Sequence, residues 1–280
     1  MKKYQLILLS ILSGILLSLA WPLKGFPFLI FLALVPLLFV ENYISRNPDK
    51  FHKFSVLFIS YVGFFTWNLL TTYWIWNSTV VGGILALLAN SLLMSLVFHF
   101  YHYTRKVVFK RKRAYLALVL YWVGFEYFHM DWDLSWPWLN LGNVFATNPQ
   151  IIQWYEFTGV FGGSLWILVC NILFFEILML FVNRSSETVF NKDFYKLISA
   201  TLVILIIPVS ISIFMYSKYS EKGKDVEVVV VQPNIDPYSE QYVTPPLEIL
   251  NKMLNLASQK LDSNSQFRIF PESALQEDVW

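Results

Sequence analysis

The sequence predicts a helical membrane protein of about seven spans that continues into a small α/β unit. Hydrophobic residues make up 56% of the 280 and charged residues 14%, and the mean hydropathy is +0.51, which excludes an ordinary soluble domain. Apolar stretches of about 20 residues, the length that crosses a bilayer as a helix, recur up to residue 216. Beyond it the pattern changes to short β-branched runs and one amphipathic helix. We therefore expect a transmembrane domain over 1–216, a linker over 217–225 and an α/β unit over 226–280.

Seven stretches have the composition of a membrane span, and the fifth, with about 15 clearly apolar residues, is the shortest. They are 4–21, 26–44, 54–76, 80–103, 114–128, 163–182 and 196–216. The first has no small-x-small cleavage site and runs directly into Trp21 and Pro22, so we interpret it as a retained helix.

The basic residues predict the orientation. With seven spans and a cytoplasmic N-terminus, every Lys and Arg up to residue 216 except Lys24 lies on the cytoplasmic side, as the positive-inside rule requires. The α/β unit then lies on the outer face of the membrane. The basic run at 105–113 is interpreted as a topology anchor against anionic lipid, and we expect no nucleic-acid partner.

Few residues indicate a metal or redox site. Cys170 is the one cysteine and lies in an apolar span, which favours a buried thiol over a nucleophile. His99 and His102 are three residues apart and are interpreted as interfacial histidines, and His129 with Asp131 and Asp133 is a weak cluster. We expect neither a metal nor a cofactor.

The loop between the fifth and sixth spans, from His129 to about Gly162, has no Lys or Arg but carries several tryptophans: Trp132, Trp136, Trp138 and Trp154. Indole rings favour the headgroup layer of a bilayer. Two interpretations stay open, an aromatic belt and a lip over which a lipid or lipid-linked substrate enters. Glu126 and Glu176 are functional candidates because ionisable groups in spans are costly, and Gly159 and Gly163 have the spacing that lets helices approach.

The α/β unit is predicted from three short elements. A β-branched run at 226–231 predicts a buried strand that ends at Gln232-Pro233. Pro245 and Pro246 open an amphipathic helix, whose apolar positions are Leu250, Met253, Leu254, Ala257 and Leu261. A second strand at 267–270 closes a β-α-β unit at Pro271, so the carboxylate of Glu272 is expected where a strand ends.

An ordered set of motifs resembles one family. Val-Gln-Pro-Asn-Ile at 231–235 and Ile-Phe-Pro-Glu-Ser-Ala at 269–274 follow the seven spans, and Trp-Pro-Trp-Leu-Asn-Leu-Gly at 136–142 stands in the outer loop. Together they are similar to apolipoprotein N-acyltransferases of bacterial inner membranes, in which a membrane domain carries a nitrilase-like (carbon-nitrogen hydrolase) periplasmic domain. Glu126-Tyr127-Phe128-His129 also resembles a family segment, with His129 where the family usually has Arg.

The resemblance implies a reaction and its partners. The family moves a fatty acyl chain from a phospholipid donor, through a thioacyl-enzyme, to the N-terminal amine of a diacylglyceryl-cysteine apolipoprotein. Glu272 matches the general base of its Glu-Lys-Cys triad. Trp138 matches a tryptophan near the entrance to the family's active site, and Tyr238 and Tyr242 are both candidates for an aromatic residue on a flexible arm. The resemblance also implies a monomer in the inner membrane.

The sequence departs from the family after Glu272, because no Lys or Cys follows and the expected last span is missing. We therefore expect an N-terminal fragment that has no activity alone. The alternatives are a membrane transporter with a small extracytoplasmic cap and another membrane-tethered amidase of the nitrilase family.

Overall fold

The computed structural model describes residues 1–21, 25–109, 114–183, 191–236, 239–272 and 274. The chain divides into two compact units, Met1–Tyr219 and Ser220–Trp280. The first unit is helical, and the second contains a pair of parallel strands and a helix.

Among the described residues, six helical stretches are long and apolar enough to cross a membrane. Many of their apolar side chains are exposed, which suits contact with lipid acyl chains. The helices of the first unit are α1 (Lys3–Ala20), α2 (Ile30–Ala33), α3 (Val35–Arg46), α4 (Ser55–Thr72), α5 (Val80–Val107), α6 (Tyr115–Phe128), α7 (Tyr155–Asn183) and α8 (Lys192–Lys218).

The predicted fifth span is a helix of only 14 residues, α6. At 1.5 Å per residue it is about 21 Å long, shorter than the roughly 30 Å hydrocarbon layer, so the structure supplies six full-length spans where the sequence predicted seven. Its direction is nevertheless clear. Tyr115 at its start bonds Glu176 near the end of α7, while Tyr127 packs 5.8 Å from Phe161 near the start of α7, so α6 and α7 are antiparallel.

Two pairs of helices pack in parallel. Contacts between α3 and α7 follow the same order along both helices. Leu34 contacts Asn171, Asn42 contacts Met179 and Arg46 contacts Asn183. Helices α1 and α4 approach so closely that a Cβ on Gly14 would overlap the carbonyl oxygen of Gly63. The Ser10 hydroxyl donates to the Ile59 carbonyl across this contact (2.5 Å). Small residues at such a contact let two backbones meet.

The predicted second span is interrupted between α2 and α3. Pro36 has no N–H to continue the helical ladder, and the chain turns at Leu34. At this break the Leu34 N–H bonds the Leu32 carbonyl, and Asn171 of α7 adds two bonds: its Oδ1 accepts the Leu34 N–H (2.8 Å) and its Nδ2 donates to the Ile30 carbonyl (2.8 Å). The buried interruption therefore keeps its backbone polar groups satisfied, as a low-dielectric setting requires.

A second proline is accommodated in the same way. Pro208 lies inside α8 and leaves the carbonyl of Ile204 without its usual donor four residues on. The indole N–H of Trp166 on α7 donates to that carbonyl (2.7 Å). Side chains of α7 thus complete the backbone bonding of two neighbouring helical stretches.

The predicted outer loop is shorter and more ordered than expected. Three 3₁₀ turns, Pro137–Leu139, Leu141–Phe145 and Pro149–Ile151, bury apolar side chains between α6 and α7. Helix α7 then begins at Tyr155, eight residues before the predicted span, and is kinked at Gly159, where φ is 63°. Gly159 and Gly163 do not form a helix-packing pair, because a Cβ on Gly163 would overlap the Tyr155 hydroxyl of the same helix.

In the second unit, β1 (Glu227–Val230) pairs in parallel with β2 (Ser265–Ile269), and α9 (Pro246–Ser258) connects them. Helix α9 buries Ile249, Met253 and Ala257 against Val231. Leu254, expected on the packed face, is 41% exposed because the buried stripe follows a strict i, i+4 line. The predicted buried strand is also wrong: three of the four β1 residues are exposed, since a single helix covers only one face of the pair.

Candidate functional site

Glu272 lies where the second strand has just ended. Because β1 and β2 are parallel, their carboxyl ends share one edge, and the Val231 N–H donates to the Ile269 carbonyl there (2.9 Å). Phe270 and Ala274, on either side of Glu272, pack against the small core of the unit. The carboxylate itself is exposed, so it is anchored through its neighbours and is accessible to a proton donor.

The turn after β1 stands at the same edge. Asn234 has a positive φ of 49°, and its side-chain oxygen accepts from Gln232 Nε2 (3.2 Å). Asn tolerates this left-handed conformation better than most residues. The edge therefore presents a carboxylate and two carboxamides on segments that follow adjacent strands.

No described residue of the same unit forms an ion pair with this carboxylate. Lys252 pairs with Glu240 (3.9 Å), with both side chains about half exposed. Cys170 is fully buried inside α7 of the helical unit. The arrangement presents an accessible carboxylate, and a group-transfer reaction also needs a nucleophile.

Of the two tyrosines proposed for the flexible arm, Tyr242 lies among the described residues. Tyr242 is 74% exposed on a turn that Asp236 organises by accepting the N–H groups of Ser239 (2.7 Å, side chain) and Gln241 (2.9 Å, backbone). Tyr238 lies outside the described residues. The choice between the two tyrosines stays open.

Trp138 belongs to a cluster of exposed indoles in the helical unit. It sits in the Pro137–Leu139 turn and is 58% exposed, while Leu139 beside it is buried and fixes the turn. Its ring packs edge-on against Trp74 (5.8 Å between centroids) and lies 6.4 Å from Trp136. The geometry suits an amphipathic surface and is compatible with both a belt and a lip.

Glu126 holds the backbone beneath this surface. It is buried, and its Oε1 accepts the Leu141 N–H (2.8 Å) and the Trp122 indole N–H (3.0 Å). The next amide, Gly142, donates to Ser164 Oγ (2.9 Å), and a Cβ there would overlap the Val160 carbonyl. The contacts of Glu126 are those of a positioning group for the 3₁₀ turns.

His129 starts a chain of hydrogen bonds that runs in one direction. The Trp132 indole N–H donates to His129 Nδ1 (2.8 Å), so the ring proton is on Nε2, which lies 3.1 Å from Asn90 Oδ1. Asn90 Nδ2 then donates to Asn68 Oδ1 (2.7 Å). His129 and Asn90 also line an apolar cavity of about 420 Å³ between α5 and Trp136.

The sequence reasoning missed a buried charged cluster at the opposite end of the bundle. Glu41 is fully buried and accepts from His102 Nδ1 (2.8 Å) and from Arg105, which also donates to Asn42 Oδ1 (3.0 Å). His102 is thus a buried partner of a carboxylate, where the sequence suggested an interfacial histidine. The signal was present, because an ionisable residue inside the apolar stretch 26–44 is itself unusual.

Glu176 accepts from the Tyr115 hydroxyl. Asn171, five residues earlier on the same helix, bonds the interrupted α2–α3 backbone. The contact between Tyr115 and Glu176 ties α6 to α7.

Comparison with known proteins gives one consistent result. Residues 13–173 match the model of the apolipoprotein N-acyltransferase N-terminal domain. Curated apolipoprotein N-acyltransferases of Chlorobaculum tepidum, Geobacter metallireducens and Thermotoga maritima are 31%, 28% and 27% identical over 95%, 82% and 97% of this chain. The matches cover 49%, 43% and 52% of those relatives, so the chain spans about half their length. The chain belongs to the apolipoprotein N-acyltransferase family.

Proposed function

We propose that this chain is part of an inner-membrane enzyme that moves a fatty acyl chain from a phospholipid to the N-terminal amine of a diacylglyceryl-cysteine apolipoprotein. The observation that carries the proposal is Glu272, an accessible carboxylate at the shared carboxyl end of two parallel strands in a member of this family. Family membership favours this reaction over transport, and we propose that the enzyme acts as a monomer.

Glu272 is assigned the general base. It takes the proton of a cysteine thiol, and the thiolate attacks the ester carbonyl of the phospholipid to form a thioester. Glu272 then gives the proton to the departing alkoxide, which leaves as a lysophospholipid. A lysine stabilises the oxyanion, and the free amine of the apolipoprotein then attacks the thioester, forming an amide and regenerating the thiol. Since no residue after Glu272 is Lys or Cys, the 280 residues by themselves are proposed to be inactive.

The second unit is assigned to the start of a nitrilase-like sandwich. Val228, Val230 and Ile269 are 39%, 70% and 51% exposed, so the face of the strand pair away from α9 is apolar and uncovered within the unit. A sandwich covers such a face with a further layer.

We propose seven crossings with a cytoplasmic N-terminus. Helix α3 is parallel to α7, and α6 is antiparallel to it, so the short α6 must carry the chain back across between α5 and α7. The N-terminal amine bonds Tyr43 beside the end of α3, and Arg46 contacts the end of α7. The positively charged N-terminus and Arg46 therefore lie at the same end of the bundle, which supports a cytoplasmic face there.

Trp138 and one of Tyr238 and Tyr242 are proposed to contact substrate. Trp138 stands in an exposed indole cluster close to Trp136, which lines the 420 Å³ apolar cavity. An apolar cavity of a few hundred Å³ bordered by amphipathic rings suits a lipid chain. This favours the lip interpretation of the aromatic loop.

The test is complementation in a strain depleted of the full-length protein. Mass spectrometry of lipoprotein N-termini should show loss of N-acylation on depletion and its recovery with the wild-type gene. Glu272→Gln should leave N-acylation reduced by at least about 100-fold, the usual contribution of a general base. Glu248→Gln, which removes an exposed carboxylate from α9 of the same unit, should complement fully. Normal N-acylation in the depleted strain would refute the proposed reaction, and full activity of Glu272→Gln would refute the assigned base alone.

A further inference from the structure

We propose that a small cavity at the basic end of the helical unit binds a phosphate group, presented by an anionic phospholipid or by a soluble phosphate. The cavity has a volume of about 60 Å³ and lies where the end of α3, the start of α4 and the last turn of α5 meet. This site is separate from the acyl-transfer chemistry of Glu272 and does not depend on it.

Five of the eight residues that line the cavity are polar, and two of these are lysines. Lys53 and His52 come from the segment before α4, Lys106 and His102 from α5, and Ser45 from α3. Lysine ammonium groups bind phosphate as compact point charges with several donors. Three separate elements therefore direct positive or donor groups at one small volume.

A buried hydroxyl without a hydrogen-bond partner supports the presence of a ligand in the cavity. Ser45 lines the cavity and is only 5% exposed, and its Oγ forms no hydrogen bond to any part of the chain that the structure describes. An unmet buried hydroxyl costs stability unless a ligand or water bonds it. A phosphate oxygen at this point would accept that hydrogen bond.

The nearest buried carboxylate does not cancel the positive charge of the lining. Glu41 is engaged by His102 and by Arg105, and Arg105 is held further by Asn42. Lys53 and Lys106 are exposed, and neither forms an ion pair with the described acidic residues. Their charge is therefore available to a ligand.

The size of the cavity fits a phosphate. By the same measure of volume a single water needs about 10–15 Å³, so the cavity holds about four oxygen-sized groups. The Phe54 ring lies 5.1 Å from Lys53 Nζ and is 39% exposed, and this apolar side chain would contact an acyl chain of a lipid whose headgroup is bound.

Binding is measured by native mass spectrometry of the 280-residue chain in detergent, titrated with phosphatidylglycerol, with phosphatidylcholine or with glycerol 3-phosphate. Saturable binding of one phosphatidylglycerol, tighter than phosphatidylcholine, assigns the site to a lipid headgroup, and saturable binding of glycerol 3-phosphate assigns it to a soluble phosphate. The proposal is overturned if neither phosphatidylglycerol nor glycerol 3-phosphate shows saturable binding.

Variants separate the cavity from general surface attraction. Lys53→Gln with Lys106→Gln should weaken binding about 25-fold, fivefold for each charge. The matched control Lys3→Gln with Lys50→Gln removes two exposed lysines that do not line the cavity and should change binding less than about twofold. Ser45→Ala should weaken binding about tenfold, as loss of one hydrogen bond to a charged group does. Equal losses in both double variants, or unchanged binding in Ser45→Ala, would overturn the proposal.

Discussion

The two ring nitrogens of His129 have opposite roles in hydrogen bonding: one accepts a hydrogen bond and the other donates one. Nδ1 accepts from Trp132, and Nε2 faces the carboxamide oxygen of Asn90. A second ring proton would be on Nδ1 and would point at the Trp132 N–H. Both groups would then be donors, and the hydrogen bond between them would be lost. Burial also lowers the pKa of His129 below its usual 6.5, so the neutral ring is part of the folded structure.

We predict that His129→Gln destabilises the protein less than His129→Phe. A Gln amide can still donate to Asn90, whereas Phe leaves both Asn90 Oδ1 and the Trp132 N–H unbonded, so we expect losses of about 1–2 and 2–4 kcal/mol. Thermal unfolding in detergent at pH 7.5 measures both. Equal losses would contradict the assigned tautomer.

The same two variants predict a pH effect. In the unfolded chain the His129 ring takes up a proton near pH 6.5, whereas in the folded wild type it does so only at lower pH. Wild-type stability should therefore fall as the pH drops through and below 6.5. Neither variant has this group, and each should lose less stability than the wild type between pH 7.5 and pH 5. A parallel decline in all three proteins would show that other groups cause the acid sensitivity.

Trp138 is an exposed residue, so its substitution should weaken substrate binding without lowering the stability of the protein. Trp138→Ala in the full-length enzyme should raise KM for the lipid substrate about 3- to 10-fold with little change in kcat or melting temperature, because an exposed ring contributes contact area to a ligand and little to the core. Tyr195→Ala, equally exposed at 59% but at the start of α8, is the control and should leave KM unchanged. An unchanged KM in Trp138→Ala would favour the belt interpretation.

At the scale of elements, α7 is the helix that makes two proline interruptions tolerable. Asn171 bonds two backbone groups beside the break between α2 and α3, and Trp166 bonds the carbonyl that Pro208 leaves without a donor in α8. The broken helical stretches therefore depend on side chains from a third.

We predict that Asn171→Leu costs about 2–5 kcal/mol of unfolding free energy, because it removes the two buried hydrogen bonds that Asn171 forms with the Leu34 N–H and the Ile30 carbonyl. Asn47→Leu is the control, since the Asn47 amide donates to one carbonyl, that of Tyr43, at a half-buried position, and should cost about 1 kcal/mol or less. Denaturation in detergent followed by tryptophan fluorescence compares the two. Equal effects would argue against a special role for Asn171.

The sequence predicted the long helices because hydropathy over 20 residues depends on composition alone. It missed the break at Pro36 because the apolar run continues through it, and it missed the start of α7 because Glu156, Thr158 and Gly159 resemble a turn. It placed Glu272 at a strand end from Pro271 and the preceding apolar run. The bonds of Glu126 to Leu141 and of Glu41 to His102 join residues 15 and 61 positions apart, and no local pattern specifies such pairs.

At the scale of the whole chain, the two units differ in how much of their apolar surface they bury. The helical unit has a continuous core from α1 to α7, whereas the α/β unit has a core of Val231, Ile249, Met253 and Ala257 with a few partly buried neighbours. Two strands and one helix are marginal for independent stability.

We predict a matching difference in hydrogen exchange. In the 280-residue chain, amides of β1 should exchange within seconds to minutes, while those of α4 and α5 should stay protected for hours, because β1 has one paired edge and an uncovered face. Hydrogen exchange mass spectrometry of the purified chain measures both regions together. Slow exchange throughout 226–231 would show that the unit is stable as it stands.

The bonds made by Asn171 also constrain the order in which the membrane domain matures during synthesis. Leu34 leaves the ribosome 137 residues before Asn171, an interval of roughly 7 to 27 s at 5 to 20 residues per second. Throughout that time the interruption between α2 and α3 lacks its native partner. The second span therefore completes its native hydrogen bonds at the interruption only after α7 has been synthesised.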